Sequence, residues 1–331
     1  MHASARRRSR SLIALIAFGL TAIVFLPGPE VWAAGPSTAS DDPVVVAAGD
    51  FACQTLTSGQ GTATCQSGAV ADLIRRIDPD RFLALGDLQY SNGKLSEFLR
   101  VWHVQFGDLK PITSPIPGNH EYGTPDAAGY FTYFGAAAHP PHGYYSFDIE
   151  NWHVVALNDE LCGDDDCAPG TPQHDWLVQD LAASDADCTL AMIHHPRYDW
   201  RPWQKWVDVE DETPNGGASV DFLVPLWRVL HGAGVEAVLN GDNHLYQRWA
   251  PQDADGDRVA GGTIQFTVGT GGRQLYSFGR PPRPENLLVT QNRAFGVLEL
   301  TLHEDSYTYA WRSAPGQPSF EDRGTVACSL R

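Results

Sequence analysis

The chain has 331 residues, 43% of them hydrophobic and 19% charged, and carries a formal net charge of −17. That acidic balance repels polyanions, so it argues against a nucleic-acid binder or an acidic-membrane binder, both of which need the opposite field. The length suits one large core or two modest domains, and no internal repeat or long linker divides it.

The first element is not part of a fold. Arg6, Arg7, Arg8 and Arg10 precede an apolar stretch from Leu12 to Leu26, followed by the breakers Pro27 and Pro29 and a small-residue site at Val31-Trp32-Ala33-Ala34. This is the pattern of a cleaved export signal, predicted over 1–33. A retained anchor is the competing reading, but the stretch is shorter than the ~20 residues a spanning helix needs. The paired arginines fit twin-arginine export only loosely, so the route stays open. Removing 1–33 takes four Arg and Glu30, leaving 19 basic against 39 acidic side chains, or −20. The mature chain, 34–331, is expected to be one secreted domain without stable membrane association.

Five apolar runs of the kind that makes buried parallel strands follow, each stopping at a residue able to hold a metal. They are Val44 to Asp50, Phe82 to Asp87, Pro115 to His120 (a poor strand), Leu190 to His194 and Val235 to His244. Helical patterns lie between them, over Ser67–Ile77, Lys94–Phe106, Thr171–Ala183 and Ser219–Leu230, with stops at Pro79, Gly107 and Gly232. Two segments alternate as hairpins, one turning at Glu150-Asn151 and one at Glu304-Asp305, and Ile264–Val268 adds another strand. Strand and helix in repetition predict an α/β core, here two mixed sheets face to face with helices outside. In such sheets the ligand crevice lies at the carboxyl ends of the strands, so the five endings should converge.

Six cysteines remain after signal removal, and in an exported chain an even count favours disulfides. Cys53 with Cys65, and Cys162 with Cys167, each bracket a polar loop, which leaves Cys188 and Cys328 to pair; other connectivities stay open. A thiolate metal site lacks its usual Cys-x-x-Cys spacing.

Gly49-Asp50, Gly86-Asp87-Leu88-Gln89-Tyr90, Gly118-Asn119-His120-Glu121, His194-His195-Pro196 and Gly241-Asp242-Asn243-His244 resemble, in order, the signature blocks of the calcineurin-like metallophosphoesterases. Tyr90 places the resemblance nearest the purple acid phosphatases, as do Tyr144 to Asp148, Thr171-Pro172-Gln173 and Gly269 to Gly272. Each block alone is weak, whereas five in order are specific. The resemblance implies a four-layer α/β/β/α sandwich around two metal ions. Asp50, Asp87, Tyr90 and His244 would hold the first, and Asp87 would bridge to a second held by Asn119, His194 and Asp242. Tyr90 as phenolate favours iron in the first site, with zinc, manganese or iron in the second. Metal-bound hydroxide would attack the phosphorus of a small phosphorylated substrate, and His120 would protonate the leaving alcohol.

The last block departs from the family's Gly-His-x-His, because Asp242 stands where the first histidine would be. Aspartate is shorter, harder and charged, so three outcomes are open: altered metal choice, a crippled second site, or a role for Asn243 or a shifted water. The sequence is read as a working site with altered preference.

Other residues are read beside their plainer roles. His195 could contact phosphate or be a turn residue before Pro196. The stretch 198–217, with Trp200, Trp203, Trp206, Arg197, Arg201 and Lys205, has the length of a lid or binding loop, or of an insertion packed on the edge. Asp253 to Asp257 lacks the downstream Glu of a calcium loop and reads as a solvated turn, as does Asp164-Asp165-Asp166. His103, His139, His142, His153, His174, His231 and His303 are expected to be structural or surface residues. The expected function is hydrolysis of phosphate monoesters; the alternatives are a phosphodiesterase or a phosphate-binding protein on a decayed site. Oligomeric state is not legible.

Overall fold

The computed structural model describes residues 42–56, 64–162, 167–200, 218–219, 221–278 and 282–329. The export-signal reading, Asp164 to Asp166 and most of the 198–217 stretch, with Trp203, Trp206, Arg201 and Lys205, lie outside the described residues. Chain order runs β1 (Val44–Ala48), α1 (Ser67–Ile77), β2 (Arg81–Leu85), the helical run α2 over 95–106, β3 (Thr113–Ile116), α3 (Ala128–Phe134), β4 (Tyr145–Ile149), β5 (Trp152–Ala156) and α4 (Pro172–Ala183). Then come β6 (Cys188–Met192), β7 (Tyr198–Asp199), β8 (Ala218–Ser219), α5 (Val224–Gly232), β9 (Ala237–Asn240), β10 (Tyr246–Trp249), β11 (Ile264–Val268), β12 (Leu287–Gln291), β13 (Gly296–Leu302), β14 (Ser306–Ser313) and β15 (Arg323–Ala327).

Two mixed sheets result. One has the order β15-β14-β13-β1-β2-β3, the other β12-β10-β11-β9-β6-β5-β4, and β7 pairs with β8. β1, β2 and β3 are parallel, as are β5, β6, β9 and β11. The sheets pack through aromatic side chains: Tyr307 lies 5.8 Å from Trp152, Tyr309 5.1 Å from Phe266 and Trp311 6.0 Å from Tyr246, centroid to centroid. Period-two alternation along β14 puts all three on one face.

Helices cover the outer faces. α1 turns Val70, Ala71, Leu73 and Ile74 inward at helical spacing and stops where Asp78, at φ 54°, donates its N–H to Ile74 before Pro79. α2 passes through a π turn at Phe98–Trp102, and its Trp102 stacks on Phe106 at 4.5 Å while Phe106 faces Phe82 of β2. On the other side, Leu177 and Leu181 of α4 and Leu226, Trp227 and Leu230 of α5 share a core with Val155, Ala191 and Val238. The four-layer expectation is met.

The predicted helix from Ser219 starts late, since Ala218–Ser219 pairs with β7 and the helix proper begins at Val224 with Pro225 in its first turn. The poor strand at Pro115 is a strand nonetheless. It sits at the sheet edge, where a residue without an N–H costs no ladder bond.

All three disulfides pair as read: Cys53–Cys65, Cys162–Cys167 and Cys188–Cys328. No helix among the described residues is long and apolar enough to cross a membrane.

His153 has the structural role expected of it. Its Nδ1 lies 2.7 Å from Asp148 Oδ1 and its Nε2 2.9 Å from Asp180 Oδ2. The hydrogen bond to Asp180 leads in raising its pKa above 6.5, against the opposing effect of burial. A raised base contributes stability that is complete below the unfolded value and is lost as pH rises through the folded one. His153→Gln should therefore cost about 1 kcal/mol at pH 6, a figure kept small because Asp148 is exposed, and less at pH 9. Thermal melts at both pH values check this; an equal loss at each would remove the charge from the account.

Candidate metal centre

Five of the parallel strands lead into candidate donors. Asp50 follows β1, Asp87 follows β2, Asn119 follows β3, His194 follows β6 and Asp242 follows β9. The three aspartates have left-handed backbones, with φ of 63°, 50° and 58°. Aspartate tolerates that region better than most residues, yet the strain needs surrounding structure to hold it, a recurrent feature of functional sites.

Tyr90 marks the middle of the first cluster. Its Oη lies 2.8 Å from Asp50 Oδ1, 2.8 Å from Asp87 Oδ2 and 2.8 Å from His244 Nε2. One phenolic hydrogen cannot serve three acceptors. Asp50 Oδ2 is buried without a hydrogen-bond partner among the described residues. A Cβ on Gly269 would approach that oxygen to 2.9 Å, so glycine keeps the space open. Four buried oxygen and nitrogen donors close to one another, with the second oxygen of Asp50 left unpartnered beside them, fit a cation. Asp50, Asp87 and His244 are close enough together to share one.

The second cluster is built on the other oxygen of Asp87. Asp87 Oδ1 is 3.4 Å from His194 Nε2, which is 3.3 Å from Asn119 Oδ1. A carboxylate with one oxygen in each cluster has the geometry of a bridge.

The imidazoles are aimed by backbone carbonyls. Nδ1 of His194 donates to Leu85 O at 2.8 Å, that of His244 to Gln274 O at 2.7 Å and that of His120 to Ser91 O at 2.6 Å. Each bond fixes a tautomer whose Nε2 carries the free lone pair. His120 stands at the rim, its side chain 32% exposed and its Nε2 3.7 Å from Asp87 Oδ2.

The electrostatics are those of a cation site. Burial opposes the charge on His194, but Asp87, Asp50, Asp242 and Asp159 outweigh it and raise its pKa to about 10. Burial and then the Asp50 and Asp87 charges push the Tyr90 phenol well up, so a phenolate there calls for a cation to offset it.

Asp242 and His195 face one another, with Oδ1 and Nε2 3.8 Å apart. Asn243 is buried and donates its Nδ2 to Asp199 Oδ1, while its own Oδ1 is buried without a hydrogen-bond partner among the described residues. Just before the 198–217 stretch, Arg197 is turned to Asp221 at 3.6 Å and to the Tyr198 ring, and within it Trp200 stacks on Phe278. The 253–257 turn closes on itself, Asp253 Oδ1 accepting the N–H groups of Asp255 and Asp257.

Three residues had no role in the sequence reading. Glu121 accepts N–H groups from Leu88, Gln89 and Gly118 at 2.8 to 3.1 Å and so ties the Asp87 loop to the Asn119 loop. Its place inside the Gly-Asn-His-Glu block was a usable signal. Asp159 accepts the N–H groups of His194 and His195, and Arg273 lies over the Tyr90 ring at 4.8 Å. Neither belongs to a block with a recognisable spacing.

Gly118 offers a test that changes no ligand. A Cβ there would fall 2.5 Å from Asp87 Oδ1 and 2.6 Å from His194 Nε2. Gly118→Ala should weaken metal retention by about 10- to 100-fold, the range seen when ligand-orienting contacts are lost. Gly232→Ala, with nothing within 4 Å, should leave it unchanged. Metal titrations of the two variants separate crowding at the centre from a general effect of alanine.

Strand-end carboxylates, an amide and imidazoles at the ends of parallel strands form a donor set that could hold metal ions in an α/β/β/α sandwich. Residues 44–246 match the family model described as calcineurin-like phosphoesterase, and the chain belongs to that family. It falls on the purple acid phosphatase-like branch. It is 24% identical over 319 residues to "Probable purple acid phosphatase 20" of Arabidopsis thaliana, covering 89% of this chain and 70% of that protein. It is 29% identical over 258 residues to "Probable inactive purple acid phosphatase 24" of the same plant, covering 69% of this chain and 40% of that one. The fold resembles purple acid phosphatase PPD1 from yellow lupin (Lupinus luteus) seeds, with a TM-score of 0.65, 20% identity, and coverage of 86% of this chain and 53% of the lupin chain.

Proposed function

We propose that the protein is a secreted dinuclear phosphatase acting on small phosphate monoesters, its mature chain, 34–331, forming one catalytic domain. The observation that carries this is Asp87, one oxygen packed against Tyr90 and the other against His194. Asp50, Tyr90 and His244 would complete the first ion's donors, and Asn119, His194 and Asp242 the second's. The phenolate of Tyr90 favours iron in the first position, with zinc, manganese or iron in the second. When bound, the ion pair supplies an activated water nucleophile and offsets phosphoryl charge. The residues of the chain do the rest: Glu121 holds two ligand loops in register, and His120 presents its Nε2 at the rim, where the ring in its imidazolium form would deliver a proton to the departing alcohol oxygen. Arg273 adds a cation to the Tyr90 side of a strongly acidic protein.

The second reading is a phosphate binder without turnover. Asp242 in place of histidine and the likeness to a relative named inactive favour it. Metal content per chain, measured with hydrolysis of a chromogenic monoester and diester on the same sample, separates the two. Two ions and monoester turnover are expected. Faster diester turnover would move the assignment to a phosphodiesterase, and phosphate binding with no turnover under any metal supplement would favour the binder.

A further inference from the structure

Asp242 stands where the family has a histidine, and an imidazole stands beside it. His195 Nε2 is 3.8 Å from Asp242 Oδ1. Two donors bonded to one ion at roughly 2.0–2.2 Å can be no more than about 4.4 Å apart. The recognised pairs of the centre fall in the same window: 3.1 Å for Asp50 and His244, 3.4 Å for Asp87 and His194, 3.3 Å for His194 and Asn119.

The setting of His195 is that of a ligand. Its Nδ1 donates to Asp159 Oδ2 at 2.9 Å, as His194 and His244 donate to carbonyls, so Nε2 is the free atom. A carboxylate behind a histidine raises the basicity of its donor nitrogen and fixes the ring. Asp159 is fully buried and also accepts the backbone N–H groups of His194 and His195 at 3.2 and 2.8 Å. Asn240 donates its side-chain amide to the carbonyls of Ile193 and His195. A turn residue does not need its ring held this way, and the His195 side chain is only 16% exposed.

We propose that His195 supplies the second ion with the nitrogen donor that Asp242 displaced, Asp242 giving the adjoining oxygen and Asp159 acting as the positioning residue. The imidazole has moved from the strand-end loop after β9 to the one after β6. The inference rests on the two-ion reading above, and it assigns to metal binding a residue that reading leaves without a role.

The test uses the intact mature protein loaded with cobalt(II). Proton NMR counts exchangeable, strongly shifted imidazole N–H signals, which only ligating histidines give. Three are expected, from His194, His195 and His244; two signals with two bound ions would overturn the proposal and leave the two-ion reading standing. His195→Ala should retain one ion per chain and keep one signal, that of His244, since His194 loses its ion as well, and Asp159→Asn should weaken the second ion by about 10- to 100-fold. Restoring a histidine in the double variant His195→Ala with Asp242→His should bring the second ion back. Retention of both ions by a folded His195→Ala would also overturn it. Fewer than two ions in the unmodified protein would remove the two-ion reading itself, and this inference with it.

Discussion

Asp87→Asn is expected to lower phosphate monoester turnover by at least about 10³-fold, a loss of about 4 kcal/mol of transition-state stabilisation. The amide keeps the size of the carboxylate but not its charge or its two equivalent oxygens. Asp87 is the residue common to both clusters, with Oδ2 2.8 Å from Tyr90 and Oδ1 3.4 Å from His194. Oδ1 also accepts the backbone N–H of His120 at 2.9 Å, so the rim histidine is displaced with it. Asparagine can offer only one oxygen, and turning that oxygen to either cluster leaves an amide N–H₂ facing cationic positions. Metal content should fall in parallel with activity, because two like charges held close together need the bridging negative charge between them. A variant that kept two ions and near-normal turnover would show that the bridge lies elsewhere, and would undo the two-cluster assignment.

Loss of the Cys188–Cys328 disulfide is expected to have the largest effect on stability, about 2–5 kcal/mol, or roughly 5–15 °C in melting temperature. The two cysteines are 140 residues apart, against 12 for Cys53–Cys65 and 5 for Cys162–Cys167. Closing a longer loop removes more freedom from the unfolded chain, so the three Cys→Ser pairs should rank in that order. Cys188 begins β6, the strand that His194 follows, and Cys328 follows β15 at the far edge of the other sheet. The bond therefore staples the two sheets that together present the proposed metal ligands. Calorimetry on the three double-serine variants gives the ranking. If the five-residue loop proved the costliest to open, local strain or packing rather than chain entropy would govern these bridges.

Much of this protein can be read without its structure, because the relevant signals are local. An apolar run that stops at Gly-Asp or at a histidine is short, continuous and bounded, so β1, β2, β6 and β9 are visible in sequence, as are α1 and α4 with their proline and glycine punctuation. The hairpin at Glu150 was visible for the same reason, its alternation broken by two polar residues. What was not visible depends on partners distant in the chain. β12 and β15 are short strands with polar or exposed positions, at the edges of their sheets, and exist because β10 and β14 offer them open ladders. Pro115 reads against a strand until its place at an edge is known.

The same division holds at the metal centre. Sequence determined the donor types and their order, since Asp50, Asp87, Tyr90, Asn119, His120, His194 and His244 sit in contiguous blocks whose chemistry is legible one residue at a time. It also located the anomaly at Asp242. Only the tertiary structure decided where each donor points. The Nδ1 contacts to Leu85, Gln274 and Ser91 come from positions 109, 30 and 29 residues away. Asp159, 36 residues before His195 and outside every block, is what turns that imidazole toward Asp242. Side-chain type is a property of the residue, whereas the direction of a lone pair is fixed by the partner on the ring's other nitrogen, and that partner is brought there by the packing of the two sheets.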